Sequence, residues 1–225
     1  MKPALAFAAA LILLSACGSG GPPPPDWKTD AADLIERYKK HALLGENVLA
    51  ERYFQQAVAA TGGAGRVVET ARLWLVRCAT RRAMLIDDAC TEYATLARTD
   101  ADTADAAYQR FLTLDWDRLD PDSLPAQHRD FVRATPETRP ATLEKITDPL
   151  SRLLDASLLV MRKEATPRSL AVATETTSAQ GWRQPLLTYL KLSAEQARAR
   201  GDSAESARLA QRIELVERSL STAHQ

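Results

Sequence analysis

The sequence predicts an all-α chain, and three observations carry that prediction. Ala, Leu, Arg and Glu, all good helix formers, dominate the composition, and most of the 9 glycines sit near the N-terminus or at turn positions. From residue 31 onward, apolar side chains recur at three- and four-residue spacing. No run of β-branched residues alternates as a half-buried strand does.

The first residues stand apart from this pattern. Met1-Lys2 is a basic start, and Ala4 to Leu14 is an apolar run. The run is too short for a bilayer span of roughly 20 residues and suits the apolar core of a signal peptide. Leu14-Ser15-Ala16-Cys17 follows it. That tetrad resembles the lipobox of bacterial lipoproteins. The resemblance implies cleavage before Cys17 and acylation of Cys17, which would anchor the mature chain stably through several buried acyl chains. In that class an Asp after the cysteine retains the protein at the inner membrane. Gly18 stands there instead, which implies the periplasmic face of the outer membrane. Gly18 to Pro25 then reads as a spacer, flexible glycines before four prolines that favour an extended polyproline II path. The expected division is a signal peptide over residues 1–16, an acylated cysteine and tether over 17–26, and one helical domain over 27–225.

Within the domain, Thr29 or Asp30 caps a helix from Ala31 to Leu44, with Leu34, Ile35, Tyr38, Ala42 and Leu43 along one face. Gly45 ends it, and a second helix runs from Val48 to Ala60 until Thr61-Gly62-Gly63 stops it. Two helices on so short a turn form an antiparallel hairpin. The stretch GENVLAERYFQQAV, residues 45–58, resembles the turn and second helix of a tetratricopeptide repeat. Gly45 matches the turn glycine, and Ala50, Phe54 and Ala57 match the small-aromatic-small triplet that packs the two helices. The first helix departs from that family, since it lacks the Trp and Leu-Gly signature.

A second pair follows, Val67 to Ala79 and Ile86 to Ala97, with Trp74 expected in the core. Ala89 and Tyr93 fall at the spacing of Ala50 and Phe54, displaced by 39 residues. The usual repeat period is about 34, so the repeat is irregular. A helix is expected over Ala101 to Leu114. Residues 114–125, LDWDRLDPDSLP, read as an acidic loop, Pro125 to Ala134 as a helix, and TPETRP, 135–140, as a linker. Asp148-Pro149, Thr166-Pro167 and Pro185 then start three helices, because proline costs nothing in the first helical turn. Asp202 or Ser203 caps the last, which carries Arg208, Arg212, Glu214, Glu217 and Arg218 outward. The expected fold is a tetratricopeptide-like α-solenoid of antiparallel hairpins, with a compact irregular bundle as the alternative.

Two cysteines lie in the domain, Cys78 and Cys90. On one straight helix they would be roughly 18 Å apart and unable to bond. With a turn near residues 81–83 they face each other. A disulfide, favoured in an oxidising compartment, and two buried small hydrophobes are therefore both open readings.

The chemistry expected is sparse. There are 29 basic and 29 acidic residues, and no basic stripe points to nucleic acid. His41, His128 and His224 have no second ligand at helical spacing, so neither a metal site nor a cofactor is expected. No catalytic set is expected: Asp87-Asp88 reads as a solvated helix start, and the 114–125 segment lacks the glycine and closing Glu of a calcium loop. Trp116 and Trp182 read as local packing residues, with binding anchors as the alternative. The functional expectation is a non-enzymatic, lipid-anchored periplasmic scaffold that binds an envelope protein. A small-ligand or lipid-binding module, and an envelope enzyme with its carboxylates in residues 115–141, are the alternatives.

Overall fold

A computed structural model of the chain describes residues 25–98 and 102–222. Cys17, the signal segment and most of the tether therefore lie outside the described residues, as does His224.

The fold is all-α and built from hairpins, with each helix packed chiefly on its neighbours in the manner of a solenoid. Helices α1 (Asp26–Leu44) and α2 (Asn47–Gly63) form the first hairpin. Gly45 joins them at φ 83°, where a side chain would be strained, and its N–H and that of Glu46 close onto the carbonyls of Ala42 and His41. The hairpin packs through Tyr38 and Phe54, whose ring centroids are 5.3 Å apart. α1 starts earlier than expected. Pro25 precedes the first turn and Asp26, assigned by sequence to the tether, is already helical with its carboxylate at the positive end of the helix dipole.

α3 (Val67–Ala83) lies on this hairpin, with Trp74 edge-on to Phe54 at 4.7 Å. It runs further than the expected Ala79. The helix expected over 86–97 shrinks to α4 (Thr91–Leu96), because residues 86–90 form no regular structure and Cys90 sits in the left-handed region at φ 52°. α5 (Thr103–Leu112) follows, capped by Asp102 through the Ala104 N–H. The 114–125 segment holds only a short 3-10 turn, Pro121–Ser123. Trp116 anchors it: the indole Nε1 donates to the Phe111 carbonyl, and the ring lies 4.1 Å from the Arg162 guanidinium carbon and 5.0 Å from that of Arg139. α6 (Ala126–Arg133) and the one-turn α7 (Arg139–Thr142) lead through a second 3-10 turn, Leu143–Lys145, into the last four helices.

α8 (Pro149–Met161), α9 (Pro167–Ala179), α10 (Arg183–Ala199) and α11 (Ser203–Thr222) form two more hairpins. Their starts are written in the chain. Asp148 accepts from Ser151 N–H, Thr166 and Ser169 close a capping box, and Asp202 Oδ1 accepts from Glu205 N–H. α10 begins at Arg183, two residues before Pro185, which still sits among the first four N–H groups that lack an intrahelical acceptor.

Two contacts join helices distant in sequence. α8 lies on α3, and α10 lies on α1. α8 is buried nearly all round, from Leu153 through Leu159, as a helix enclosed by others must be. Tyr189 on α10 is buried and its hydroxyl donates to the Ala83 carbonyl at the end of α3. At the other end, Arg183 reaches Glu46 at 3.0 Å, and Leu220 of α11 closes over Gly45. One core runs from Ile35 on α1 to Tyr189 on α10, and a smaller one of Leu190, Ala194, Ala197 and Leu209 binds α11 to α10.

Candidate functional site

α10 touches both α9 and α11, but α9 and α11 diverge from each other. An open cleft of about 560 Å³ runs between them with α10 as its floor. The α9 wall carries Thr174 and Glu175, the floor carries Gln196 and Arg200, and the α11 wall carries Arg208 and Arg212. The Thr174 hydroxyl is buried and has no hydrogen-bond partner, although its helix neighbour Thr177 bonds back to the Ala173 and Thr174 carbonyls. A buried hydroxyl without a partner forfeits a hydrogen bond that water or a ligand group would supply.

The charges in the cleft are partly committed. Asp202 caps α11, and Arg208 holds Glu205 with two parallel bonds of 2.7 and 2.6 Å. That bonding keeps the Glu205 carboxyl below the usual carboxylate range, and the nearby Arg212 and Arg200 add to the effect. Three guanidinium groups therefore converge around one carboxylate. Among the described residues, Arg200 and Arg212 have no ion-pair partner. Arg208, read from sequence as an outward residue of a terminal cap, is exposed, and with the half-buried Arg212 it borders this cleft.

A second arrangement is the α3–α4 elbow. Cys78 and Cys90 are joined by a disulfide with 5.4 Å between their Cα atoms. Asp88 Oδ1 accepts from Cys90 N–H, and its Oδ2 pairs with Arg81 at 2.7 Å. Arg82 is buried beneath the elbow, where its guanidinium donates to the Asp88 carbonyl and pairs with Asp87 at 3.4 Å. The two sulfurs and Asp88 lie close enough to hold an ion, but both sulfurs are spent on each other. Asp87 and Asp88 serve this elbow and do not start a helix.

A third arrangement is fully enclosed. His128 Nδ1 and Asp155 Oδ1 are 2.7 Å apart, joining α6 to α8 with both side chains buried. Asp155 Oδ2 has no partner. Burial pushes the Asp155 carboxyl up to about 6, against the opposing influence of His128. Tyr108 and Phe111 ring the imidazole at 5.8 and 4.9 Å. The pair borders none of the clefts described here, so the raised carboxyl is not held open to a substrate.

The residues singled out by sequence fall in different places. Gly45 makes the α1–α2 turn, and Ala50, Phe54 and Ala57 are buried along α2. Tyr93 is buried on α4 with its hydroxyl unpartnered. Ala89 is a correction: it is exposed on the irregular segment before α4 and packs no helix pair, because the disulfide and Cys90's left-handed backbone delay the helix start. His41 pairs with Glu46 at 2.5 Å and stacks on Tyr53. The sequence reading missed Thr174, Arg200 and the His128–Asp155 pair. No local signal marked the first two, and nothing in the sequence pairs His128 with a residue 27 positions away.

No helix among the described residues is long and apolar enough to cross a membrane. No family model, no curated protein and no solved structure matches the chain.

Proposed function

We propose that the protein is a lipid-anchored scaffold of the bacterial envelope, tethered through Cys17 at the periplasmic face of the outer membrane, and that its helical body binds a protein partner. The observation that carries the binding half is the open cleft between α9 and α11, lined by Arg200, Arg208 and Arg212 together with Glu175, Asp202 and Glu205. Stacked hairpins present extended surfaces of this kind. The Cys78–Cys90 disulfide supports export, since such bonds persist in oxidising compartments. The lipobox supports the anchor.

The test is in-cell crosslinking of the acylated protein followed by mass spectrometry. One reproducible envelope protein is the expected result, and a chain that crosslinks to nothing overturns the scaffold reading. The anchor is tested separately: Cys17→Ser should abolish acylation and move the protein from the membrane to the soluble fraction. A second reading, a small apolar-ligand module, rests on an open hollow of about 300 Å³ lined by Val160, Ala165, Leu170 and Leu192. Organic extraction of the purified protein and mass spectrometry of the extract would recover such a ligand.

A further inference from the structure

We infer that Cys78, Cys90 and Asp88 form a redox-gated site for Zn²⁺, closed while the disulfide stands and opened when a dithiol reduces it. Neither the lipid anchor nor the protein partner proposed above enters the inference.

The elbow places three ligands together. The ligand atoms of Cys78, Asp88 and Cys90 all lie within 4.8 Å of one another. Zn²⁺ holds thiolates at about 2.3 Å and carboxylate oxygens at about 2.0–2.2 Å, so tetrahedral ligands stand roughly 3.3–3.8 Å apart. The Cα atoms of the two cysteines are 5.4 Å apart. Rotation about each Cα–Cβ bond parts the reduced sulfurs to that spacing while the backbone stays in place. Asp88 is held beside them: Oδ1 accepts from Cys90 N–H at 2.9 Å, and Oδ2 pairs with Arg81 at 2.7 Å. The buried Arg82 donates to the Asp88 carbonyl and fixes the segment from beneath. Bonds of this kind around a ligand keep it oriented toward an ion.

Charge and donor type name the ion. Two thiolates with Asp87 and Asp88 carry four negative charges, against two on Arg81 and Arg82, which pair with those carboxylates. Two thiolates and a carboxylate suit Zn²⁺, whereas Cu(I) favours sulfur alone. Three protein ligands leave one tetrahedral position for water. Asp88, Ala89 and Thr91 border an open hollow of about 280 Å³, which gives that water room. Each cysteine is only 1 % exposed, so reductant and ion enter when the irregular segment 86–90 opens locally. The dithiol gives two electrons and two protons to the Cys78–Cys90 bond, which breaks to two thiols, and the dithiol leaves as its own disulfide. Zn²⁺ then replaces both thiol protons, which go to solvent.

The test uses the full-length protein in detergent, reduced anaerobically with dithiothreitol, desalted and titrated with Co²⁺ as a coloured substitute for Zn²⁺. The expected result is one Co²⁺ per chain, with a thiolate-to-cobalt charge-transfer band and the visible bands of tetrahedral cobalt. One equivalent of Zn²⁺ should bleach both, and the disulfide form should show neither. Cys78→Ser should lose the charge-transfer band and the tight binding. Asp88→Asn keeps an acceptor for Cys90 N–H and should weaken Co²⁺ binding by about tenfold or more, since losing a ligand's supporting bond alone costs that much. Its disulfide form should keep the parent's helical circular dichroism, which separates a lost ligand from a lost fold. Arg81→Gln removes a partner of Asp88 without touching a ligand and should bind Co²⁺ at least as tightly as the parent. No charge-transfer band in the reduced parent, folded or not, overturns the inference. So does the same band in the disulfide form or in Cys78→Ser, and so does unchanged affinity in Asp88→Asn.

Discussion

The buried His128–Asp155 pair gives the sharpest prediction, because a carboxyl enclosed at 0 % exposure makes stability depend on pH in a stated direction. In the folded state the Asp155 carboxyl titrates near 6, against 3.8 for a free aspartate. The folded protein thus holds a proton between these values that the unfolded chain has released. Stability from this group is fully present below pH 3.8 and is lost as pH rises through 6. A shift of about two units corresponds to about 3 kcal/mol. Asp155→Asn isolates the effect. The amide keeps the carbonyl oxygen that faces His128 Nδ1 and, like the protonated acid, puts a donor where Oδ2 has no partner. At pH 3.5 the variant and the parent should unfold at similar urea concentrations. By pH 7 the variant should be ahead by about 3 kcal/mol, or roughly 6–12 °C in Tm for a chain of this size. Urea melts at half-unit steps from pH 3.5 to 7.5 measure the gap. A gap that does not grow with pH would falsify the assignment of the cost to the buried carboxylate. A variant that loses ground as pH rises would mean that the ionised pair with His128 is net stabilising.

Three further predictions follow from the packing. Opening the Cys78–Cys90 bond, which spans 12 positions, should cost about 3 kcal/mol by loop closure; urea midpoints of the parent with and without reductant, beside Cys78→Ser with Cys90→Ser, would disprove this if all coincide. Gly45→Ala should destabilise by about 1–2 kcal/mol for the left-handed backbone alone, and by more because the new Cβ would lie 2.7 Å from Leu220; a thermal melt unchanged from the parent would mean that α11 does not close over the α1–α2 turn. Arg139 is buried where it donates to the Phe131 and Ala134 carbonyls and pairs with Glu164. Its truncation to Ala strips the Phe131 and Ala134 carbonyls of their donor and leaves Glu164 with Arg162 as its remaining arginine, at an expected cost of about 1–3 kcal/mol in a calorimetric scan; a scan unchanged from the parent would refute this.

What could be read from the chain was local. The starts of α8, α9 and α11 were legible because Asp148-Pro149, Thr166-Pro167 and Asp202 satisfy the first N–H groups of each helix with atoms a few residues away. The α1–α2 hairpin was legible because one glycine turns it and one apolar stripe on each helix closes it. The elbow after α3 was not legible in this way. Its irregular residues 86–90 are held by the buried Arg82 and by a covalent bond, neither of which follows from periodicity.

The sequence by itself determined the helical class, most helix boundaries, the hairpin pairing of neighbours and the expectation of a lipid anchor. Tertiary structure alone decided that α8 rests on α3 and α10 on α1, that His128 meets Asp155, and that α9 and α11 splay to leave a cleft. The reason is physical. Helix formation and capping depend on groups within a turn or two of each other. Which apolar stripe meets which, and which charges end up facing a common hollow, depends on how the finished helices share a limited core, and many pairings of similar Leu- and Ala-rich faces satisfy the same local pattern.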